Sequence, residues 1–115
     1  MFRLVWTPAA AATYETLRAK AAQVFGSRRK GGRSKPSRQE ALFKQVHKCL
    51  MHLAADPRHP GLQTHPYSSI PHPYDSRQKV FEAYAQQHTP GAYRVFWCYG
   101  PRKGEMTIIA ITPHP

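Results

Sequence analysis

Acidic residues are scarce in this chain of 115 residues. Six aspartates and glutamates stand against 17 lysines and arginines, so the formal net charge at pH 7 is +11 with histidine counted as neutral. So large a positive charge on a domain of this size predicts a polyanionic partner. The sequence has no long basic amphipathic helix of the kind that lies on membranes, which favours RNA or DNA over a lipid surface. The alternative is a basic surface that is only solvated.

Cysteine is rarer still, and the two cysteines, Cys49 and Cys98, are not part of a CxxC spacing. Both occur in apolar patterns, which predicts buried, reduced thiols and is typical of a reducing compartment. The histidines that we considered as zinc ligands are His59, His65, His72, His88 and His114. Their spacing matches no ligand pattern and no thiolate lies nearby. We therefore expect no metal and no cofactor.

Long hydrophobic runs are also missing. No apolar stretch approaches the length of about 18 residues that a membrane-spanning helix needs, and residues 1–7 have the pattern of a strand rather than of a signal peptide. We expect a soluble, cytoplasmic protein that forms a single domain over residues 1–115.

The chain begins with a predicted strand at residues 2–6 and a predicted helix. Thr7 and Pro8 are typical of a helix start, with Thr7 as the N-cap and Pro8 in the first helical position. Apolar residues then recur on one helical face as far as residue 25. Gly26 is the predicted end of this helix.

A basic segment at residues 27–38 separates this helix from the next. It has two adjacent glycines and no apolar residue, which predicts a flexible loop that is free to contact phosphate. Ser37 and Glu40 then form a capping box for a second amphipathic helix, which runs to Asp56. The two helices form a hairpin that can lie on a sheet.

The last third of the chain predicts three antiparallel strands. They cover residues 79–87, 92–99 and 106–112, and turn residues at 88–91 and 100–104 separate them. The predicted order is β-α-α-β-β-β, an α+β fold in which the helical hairpin packs on one face of a small, mainly antiparallel sheet.

Alternation along these strands divides their side chains between two faces. The predicted core face carries Phe81, Ala83, Ala85, Tyr93, Val95, Trp97, Tyr99, Thr107, Ile109 and Ile111. The predicted second face carries Glu82, Tyr84, Arg94, Phe96, Cys98, Met106, Ile108, Ala110, Thr112 and His114. A carboxylate, a guanidinium and an imidazole thus share the second face, which is where we expect chemistry.

A long connection at residues 58–78, rich in proline, histidine and tyrosine, joins the second helix to these strands. A loop of about 20 residues without secondary structure is uncommon in so small a domain and is often functional.

Several segments, in this order, resemble the RelE/ParE superfamily of bacterial type II toxins. They are the opening strand with its helix hairpin, the sequence Asp56-Pro57 followed by Pro60-Gly61-Leu62, the sequence Tyr93-Arg94-Val95 and residues 108–114. The resemblance covers nearly the whole chain. It implies a toxin that a small antitoxin holds inactive by wrapping its C-terminal segment around it.

The superfamily has two activities on one fold. RelE-like members cut messenger RNA in the ribosomal A site without a metal, with the 2′-hydroxyl of the RNA as nucleophile, whereas ParE-like members inhibit DNA gyrase. For the first activity, the resemblance implies that Arg94 stabilises the charge on phosphorus. It also implies that His114 is the general acid. Glu82, a loop histidine or Lys79 is the candidate base.

Structural alternatives stand beside these roles. Arg94 and Glu82 can form a simple salt bridge on an exposed strand, and His114 can be a frayed terminal residue. Many RelE-like members have a tyrosine at the C-terminal end that stacks on a base or orients the phosphate, and this chain has none there. Tyr67, Tyr74 and Tyr84 are the candidates to take its place, because stacking needs only an aromatic face within reach. The residues expected to contact RNA are Arg28, Arg29, Lys30, Arg33, Lys35, Arg58, His65, Tyr67, Lys79 and Tyr84.

The leading interpretation is a metal-independent, ribosome-dependent endoribonuclease toxin, whose partners are the ribosome and messenger RNA. The charge and the shared face of Glu82, Arg94 and His114 favour it. The alternatives are a non-enzymatic gyrase inhibitor and an inactive, basic nucleic-acid-binding protein. Phe96, Met106 and Ile108 would leave apolar surface on the second face, which predicts an acidic antitoxin that covers it.

Overall fold

Two helices and a five-stranded mixed sheet make up the fold of the described residues. The structure is a computed structural model that describes residues 1–30 and 37–114, with the side chains of residues 28–30 outside the description. The elements are β1 (Arg3–Trp6), α1 (Pro8–Lys30), α2 (Arg38–Ala55), a 3₁₀ turn (Pro60–Leu62), β2 (His65–Pro66), β3 (Phe81–Tyr84), β4 (Tyr93–Tyr99) and β5 (Glu105–Pro113).

The strands lie in the order β1-β5-β4-β3-β2 across the sheet. Strand β1 pairs with β5 in parallel, and the other pairs are antiparallel. The predicted α+β class and the meander of the last three strands are confirmed. Strand β3 is shorter than the predicted residues 79–87, and β2 is a strand that the sequence did not indicate.

Helix α1 is longer than predicted. Its predicted end at Gly26 is wrong, because the helix continues to Lys30. A glycine ends a helix when its backbone becomes left-handed, and Gly26 is not among the residues with positive φ. Residues 27–30 of the predicted loop 27–38 are therefore helical, and Arg38 already belongs to α2. The rest of that loop, residues 31–36, lies outside the description.

Helix α2 begins where the capping box predicts. The Oγ atom of Ser37 accepts a hydrogen bond from the backbone N–H of Glu40 at 3.1 Å. The side chain of Glu40 in turn accepts from the N–H of Ser37 at 3.2 Å. The helix buries Val46, Leu50 and Leu53 against the sheet. We call the sheet face under α1 and α2 the helix face.

A β-bulge in β5 changes the face on which several residues lie. Phe96 pairs with Ala110, but the next residue of β4, Trp97, pairs with Ile108. Ile109 is thus an extra residue, and an odd insertion reverses the alternation on one side of it. The residues of β5 after Ile109 lie on the face that alternation predicts, whereas those before Ile109 lie on the opposite face.

The predicted faces of Met106, Thr107, Ile108 and Ile109 are therefore wrong. Met106 and Ile108 are fully buried in the core of the helix face, while Thr107 pairs with Cys98 on the other side of the sheet. Ile109 is the half-buried extra residue of the bulge. The predicted core residues that lie in or against the helix-face core are Phe81, Ala83, Ala85, Tyr93, Val95, Trp97 and Ile111.

The other side of the sheet, which we call the open face, is not bare. Its register positions hold Glu82, Tyr84, Arg94, Phe96, Cys98, Thr107, Ala110 and Thr112. Phe96 is only 2 % exposed, and Met106 and Ile108 lie in the helix-face core instead. The predicted apolar surface of these three residues is therefore wrong, and with it the argument that an antitoxin must cover them.

Residues 58–78 are not a structureless loop, which corrects the prediction. The 3₁₀ turn and β2 organise the first part, and proline in β2 is compatible with its position at the sheet edge. In the second part His72 is buried: its Nδ1 accepts the N–H groups of Tyr74 and Asp75, and its Nε2 donates to the carbonyl of Tyr99 at 3.2 Å.

Two tyrosines of this segment contact the open face. The ring of Tyr67 packs on Phe96 with centroids 4.7 Å apart, and the hydroxyl of Tyr74 lies 2.9 Å from that of Thr107. The chain itself thus covers the part of the open face that is apolar.

Both cysteines are buried free thiols, as predicted. Burial raises the pKa of Cys49 to about 12 and that of Cys98 to about 11, so both sulfurs stay protonated and weakly nucleophilic at neutral pH. None of the helices in residues 1–30 and 37–114 is long and apolar enough to cross a membrane.

Candidate active site

Glu82 is the centre of a polar cluster on the open face. It lies on β3, opposite His65 of β2 and Phe96 of β4, and it is only 2 % exposed. Its Oε1 is 2.7 Å from Nε2 of His65, and its Oε2 is 3.1 Å from Nδ1 of His114. A carboxylate is rarely buried unless it is paired and hydrogen-bonded, and here both oxygens are engaged.

Arg94, on β4, is the third group paired with this carboxylate. Its Nε lies 3.7 Å from Oε2 of Glu82, which is an ion pair but too long for a hydrogen bond. Its Nη1 donates to the carbonyls of Gln86 at 2.7 Å and Tyr93 at 3.3 Å, and the guanidinium lies 3.7 Å above the ring of Tyr84.

The Arg94 side chain is 9 % exposed, so the exposure expected in the structural alternative is wrong, whereas its pairing of Arg94 with Glu82 is present. Nε is buried without a hydrogen bond, and Nη2 makes none within the described residues. A rigid cation with an unused donor is well suited to a developing negative charge.

His114 is anchored rather than frayed. Its backbone N–H donates to the carbonyl of Ala92 at 2.8 Å, and its ring bonds Glu82 through Nδ1. Because a carboxylate only accepts, Nδ1 carries a proton. Nε2 makes no hydrogen bond within the described residues, and the side chain is 48 % exposed. His114 therefore offers one nitrogen to a ligand while Glu82 fixes the ring.

His65 is held on both sides. Its Nδ1 bonds the carbonyl of Gln63 at 3.0 Å, and its Nε2 faces Glu82. The carbonyl and an ionised carboxylate are both acceptors, so His65 satisfies both only with a proton on each nitrogen. Its ring also contacts Tyr84 edge-on, with centroids 5.8 Å apart. His65 has no free lone pair in this arrangement.

The other predicted RNA-binding residues are dispersed. Tyr84 lies beneath Arg94 in the cluster, and Tyr67 and the exposed Lys79 line a cleft with His72. Arg58 lines a cleft with Phe81 and Trp97 on the opposite side of the sheet and does not join the cluster. The basic residues that the description leaves out, wholly or in their side chains, are Arg28, Arg29, Lys30, Arg33 and Lys35.

Sequence reasoning did not find that His65 lies opposite Glu82. A weak signal was present, since His65 and Tyr67 alternate around a proline that only an edge strand accepts. The roles of Gln86 and Tyr93 left no signal, because they act through backbone carbonyls. Within the described residues, no group of three or more His, Cys, Asp or Glu side chains could hold a metal ion.

The fold just described is α+β and RelE/ParE-like, as the sequence predicts. A solved structure that shares it is the YoeB/ParE toxin from Agrobacterium tumefaciens, which aligns over 98 % of this chain and 99 % of its own length. The TM-score is 0.61 and the sequence identity 10 %, so the likeness concerns the fold. No protein-family model matches the sequence, and no curated protein sequence matches it either.

Proposed function

We propose that this protein is the toxin of a type II toxin-antitoxin system and a metal-independent endoribonuclease that cleaves messenger RNA on the ribosome. The observation that carries the proposal is the Glu82–His114–Arg94 cluster on the open face of a toxin fold. A small acidic antitoxin is the proposed partner, and the net charge of +11 supports both an acidic and a nucleic-acid partner.

The reaction is an attack of the RNA 2′-oxygen on the adjacent phosphorus. The P–O2′ bond forms and the P–O5′ bond breaks, which gives a 2′,3′-cyclic phosphate and a 5′-hydroxyl. The 2′-hydroxyl loses its proton to solvent water and the 5′-oxygen gains one, so a proton donor at O5′ accelerates the reaction. Charge accumulates on the non-bridging oxygens, where a fixed cation is most effective.

We assign the acid to His114 and the charge stabiliser to Arg94. A protonated His114 keeps Nδ1–H on Glu82 and presents Nε2–H to the leaving oxygen. The unused Nη2 of Arg94 is the donor for the phosphoryl oxygens. Both oxygens of Glu82 are occupied, so we assign it to positioning His114 rather than to the base that the sequence suggested.

Two substitutions of Glu82 distinguish positioning from base catalysis. In Glu82→Gln, the Nδ1–H of His65 still donates to Gln63, so its Nε2 accepts the new amide N–H and the amide oxygen faces His114. We expect Glu82→Gln to retain cleavage within about tenfold of the wild type, and Glu82→Ala to lose about 10²-fold or more. Single-turnover cleavage of ribosome-bound messenger RNA measures both.

Stability of the same variants is the control. Glu82→Ala leaves a buried Arg94 without its carboxylate, and we expect a loss of about 3 kcal/mol in the free energy of unfolding. Glu82→Gln should lose less unfolding free energy, because the amide can still hydrogen-bond both His65 and His114. A Glu82→Gln protein that is folded but as inactive as Glu82→Ala would contradict the positioning role and restore Glu82 as the base.

Induced expression in bacteria tests the proposed function as a whole. Wild-type protein should arrest growth and produce new messenger RNA 5′ ends within reading frames, mapped by primer extension. Growth arrest with intact messages and failed supercoiling in purified gyrase assays would replace the ribonuclease by a gyrase inhibitor. Harmless expression without an acidic co-purifying partner would favour an inactive nucleic-acid-binding protein.

A further inference from the structure

A second group of basic side chains lies beyond the C-terminal end of β3, outside the Glu82 cluster. It lines a cleft of about 440 Å³ between α2, the 3₁₀ turn and residues 84–87. The titratable residues of the lining are Lys48, Cys49, His52, His59 and Tyr84. None of the described residues that line this cleft is acidic, so its cationic groups face one another without a carboxylate.

Lys48 and His52 are four residues apart on α2 and therefore lie on the same side of the helix. The ring of His52 lies against that of His59, with centroids 4.1 Å apart and planes inclined by 31°. Burial, and then the charges of His59 and Lys48, lower the pKa of His52. The ammonium group of Lys48 makes no hydrogen bond or ion pair with the part of the chain that the structure describes.

His59 is oriented as a hydrogen-bond donor. Its Nδ1 accepts the backbone N–H of Gly61 at 3.0 Å, so in the neutral ring the proton is on Nε2. Gly61 permits this contact, because a Cβ atom there would lie 3.0 Å from the His59 ring. The cleft thus combines the free ammonium group of Lys48 with two imidazole rings. One of them, His59, is held by its Nδ1 and keeps its Nε2–H as a donor.

Glutamine side chains fix the wall of the cleft. Gln86 donates to Gln45 at 2.9 Å and accepts the N–H of Tyr93 at 3.1 Å. Gln87 accepts from Gln63 at 2.8 Å and donates to the carbonyl of Gly61. These hydrogen bonds occupy the side chains of Gln86 and Gln87, so both residues shape the wall of the cleft rather than compete for its ligand.

Tyr84 connects the cleft with the Glu82 cluster. Its ring carries the Arg94 guanidinium at 3.7 Å, and the same residue lines the cleft. A polyanion that contacts Arg94 can therefore continue past the Tyr84 ring into the cleft. Gln86 joins the two sites as well, because its carbonyl accepts from Arg94 while its side chain forms part of the cleft wall.

We propose that the cleft of Lys48, His52 and His59 binds a backbone phosphate of the RNA that flanks the cleaved one. That the polyanion is RNA rests on the proposed function. That the cleft binds a phosphate rests on the geometry of Lys48, His52 and His59. A phosphate offers acceptors to Lys48, to His59 Nε2–H and to a protonated His52, and its charge relieves the repulsion among them. The contact reads no base and increases affinity uniformly across sequences.

Binding of a labelled single-stranded RNA, followed by fluorescence anisotropy over a range of salt concentrations, tests this proposal. Lys48→Ala should weaken binding by about 3- to 10-fold near physiological salt and reduce the slope of log K against log salt by about one. Lys44→Ala is the matched control, because Lys44 is an exposed lysine one turn earlier on α2 that lines a different groove. Equal losses in the two variants would overturn the site.

The titration of His52, followed by its imidazole NMR signals, is a second readout. A bound phosphate favours the protonated ring, so the pKa of His52 should rise when RNA is added, and affinity should increase as the pH falls through that range. Inorganic phosphate used as a probe should produce a smaller rise of the same sign. An unchanged pKa of His52 at saturating RNA would contradict the phosphate contact.

The two proposals fail separately. If Lys48→Ala but not Lys44→Ala weakened RNA binding, while the wild type cleaved no messenger RNA on ribosomes, the ribonuclease proposal would be rejected and the phosphate site retained. If the wild type cleaved messenger RNA but Lys48→Ala bound RNA as tightly as the wild type, the phosphate site would be rejected and the ribonuclease proposal retained.

Discussion

His114→Ala should lower the single-turnover rate of messenger RNA cleavage on ribosomes by about 10²- to 10⁴-fold, the range of one general acid. The substitution removes the only cluster nitrogen that is half-exposed and free of a partner in the described residues. Affinity for RNA should change little, because His114 is assigned to the leaving oxygen and not to a phosphate. The backbone bond from residue 114 to Ala92 survives the change, so the protein should fold.

A chemically altered substrate makes this prediction specific for acid catalysis. A message with sulfur in place of the bridging 5′-oxygen has a leaving group that needs no proton, so His114→Ala should cleave it at close to the wild-type rate. An equal loss on the oxygen and sulfur substrates would reject His114 as the acid. His88→Asn is the matched control, because His88 is an exposed histidine with positive φ, which asparagine tolerates.

Arg94→Ala should lower the cleavage rate by about 10²- to 10³-fold, as expected for the loss of one charge-stabilising donor at phosphorus. Arg94→Lys should recover little of it. A lysine has no planar guanidinium to lie on the Tyr84 ring, and it cannot donate to Gln86 and Tyr93 while presenting a second nitrogen to phosphate. The single-turnover assay on ribosomes measures these rates too.

Folding must be separated from catalysis at this position, since Arg94→Ala removes the guanidinium beside the buried Glu82 and should cost about 3 kcal/mol of unfolding free energy. The double variant Glu82→Gln with Arg94→Ala removes both charges and should be more stable than Arg94→Ala alone. If that folded double variant cleaved at the rate of Glu82→Gln, the role of Arg94 would be structural. Arg102→Ala, in the exposed turn after β4, controls for loss of net charge.

Where a signal lay within a few neighbouring residues, the sequence was a reliable guide to the fold. Thr7 with Pro8 predicted the start of α1, and the Ser37–Glu40 capping box predicted the start of α2. Both signals act through hydrogen bonds or backbone angles inside a single turn. The strands of the meander were also predicted, because alternation and turn residues are properties of the strand itself.

Errors arose where a local signal competed with packing. Gly26 is permissive rather than obligatory as a helix end, and α1 passes through it. The bulge at Ile109 depends on how β5 fits against β4 and β1 together, so alternation alone assigned Met106 and Ile108 to the wrong face. His114 was assigned to the correct face because it follows the bulge.

The sequence by itself determined the charge of the protein, the starts of both helices and the three strands of the meander, and its alternation placed Glu82, Arg94 and His114 on one face. These features depend on composition and on neighbours along the chain. Only the tertiary structure decided that His65 meets Glu82 and that Lys48, His52 and His59 form one cleft. His65 meets Glu82 only when β2 pairs with β3, and the cleft forms only where α2 and the 3₁₀ turn lie beside residues 84–87. Both depend on which surfaces pack in the folded chain, and no local pattern specifies that choice.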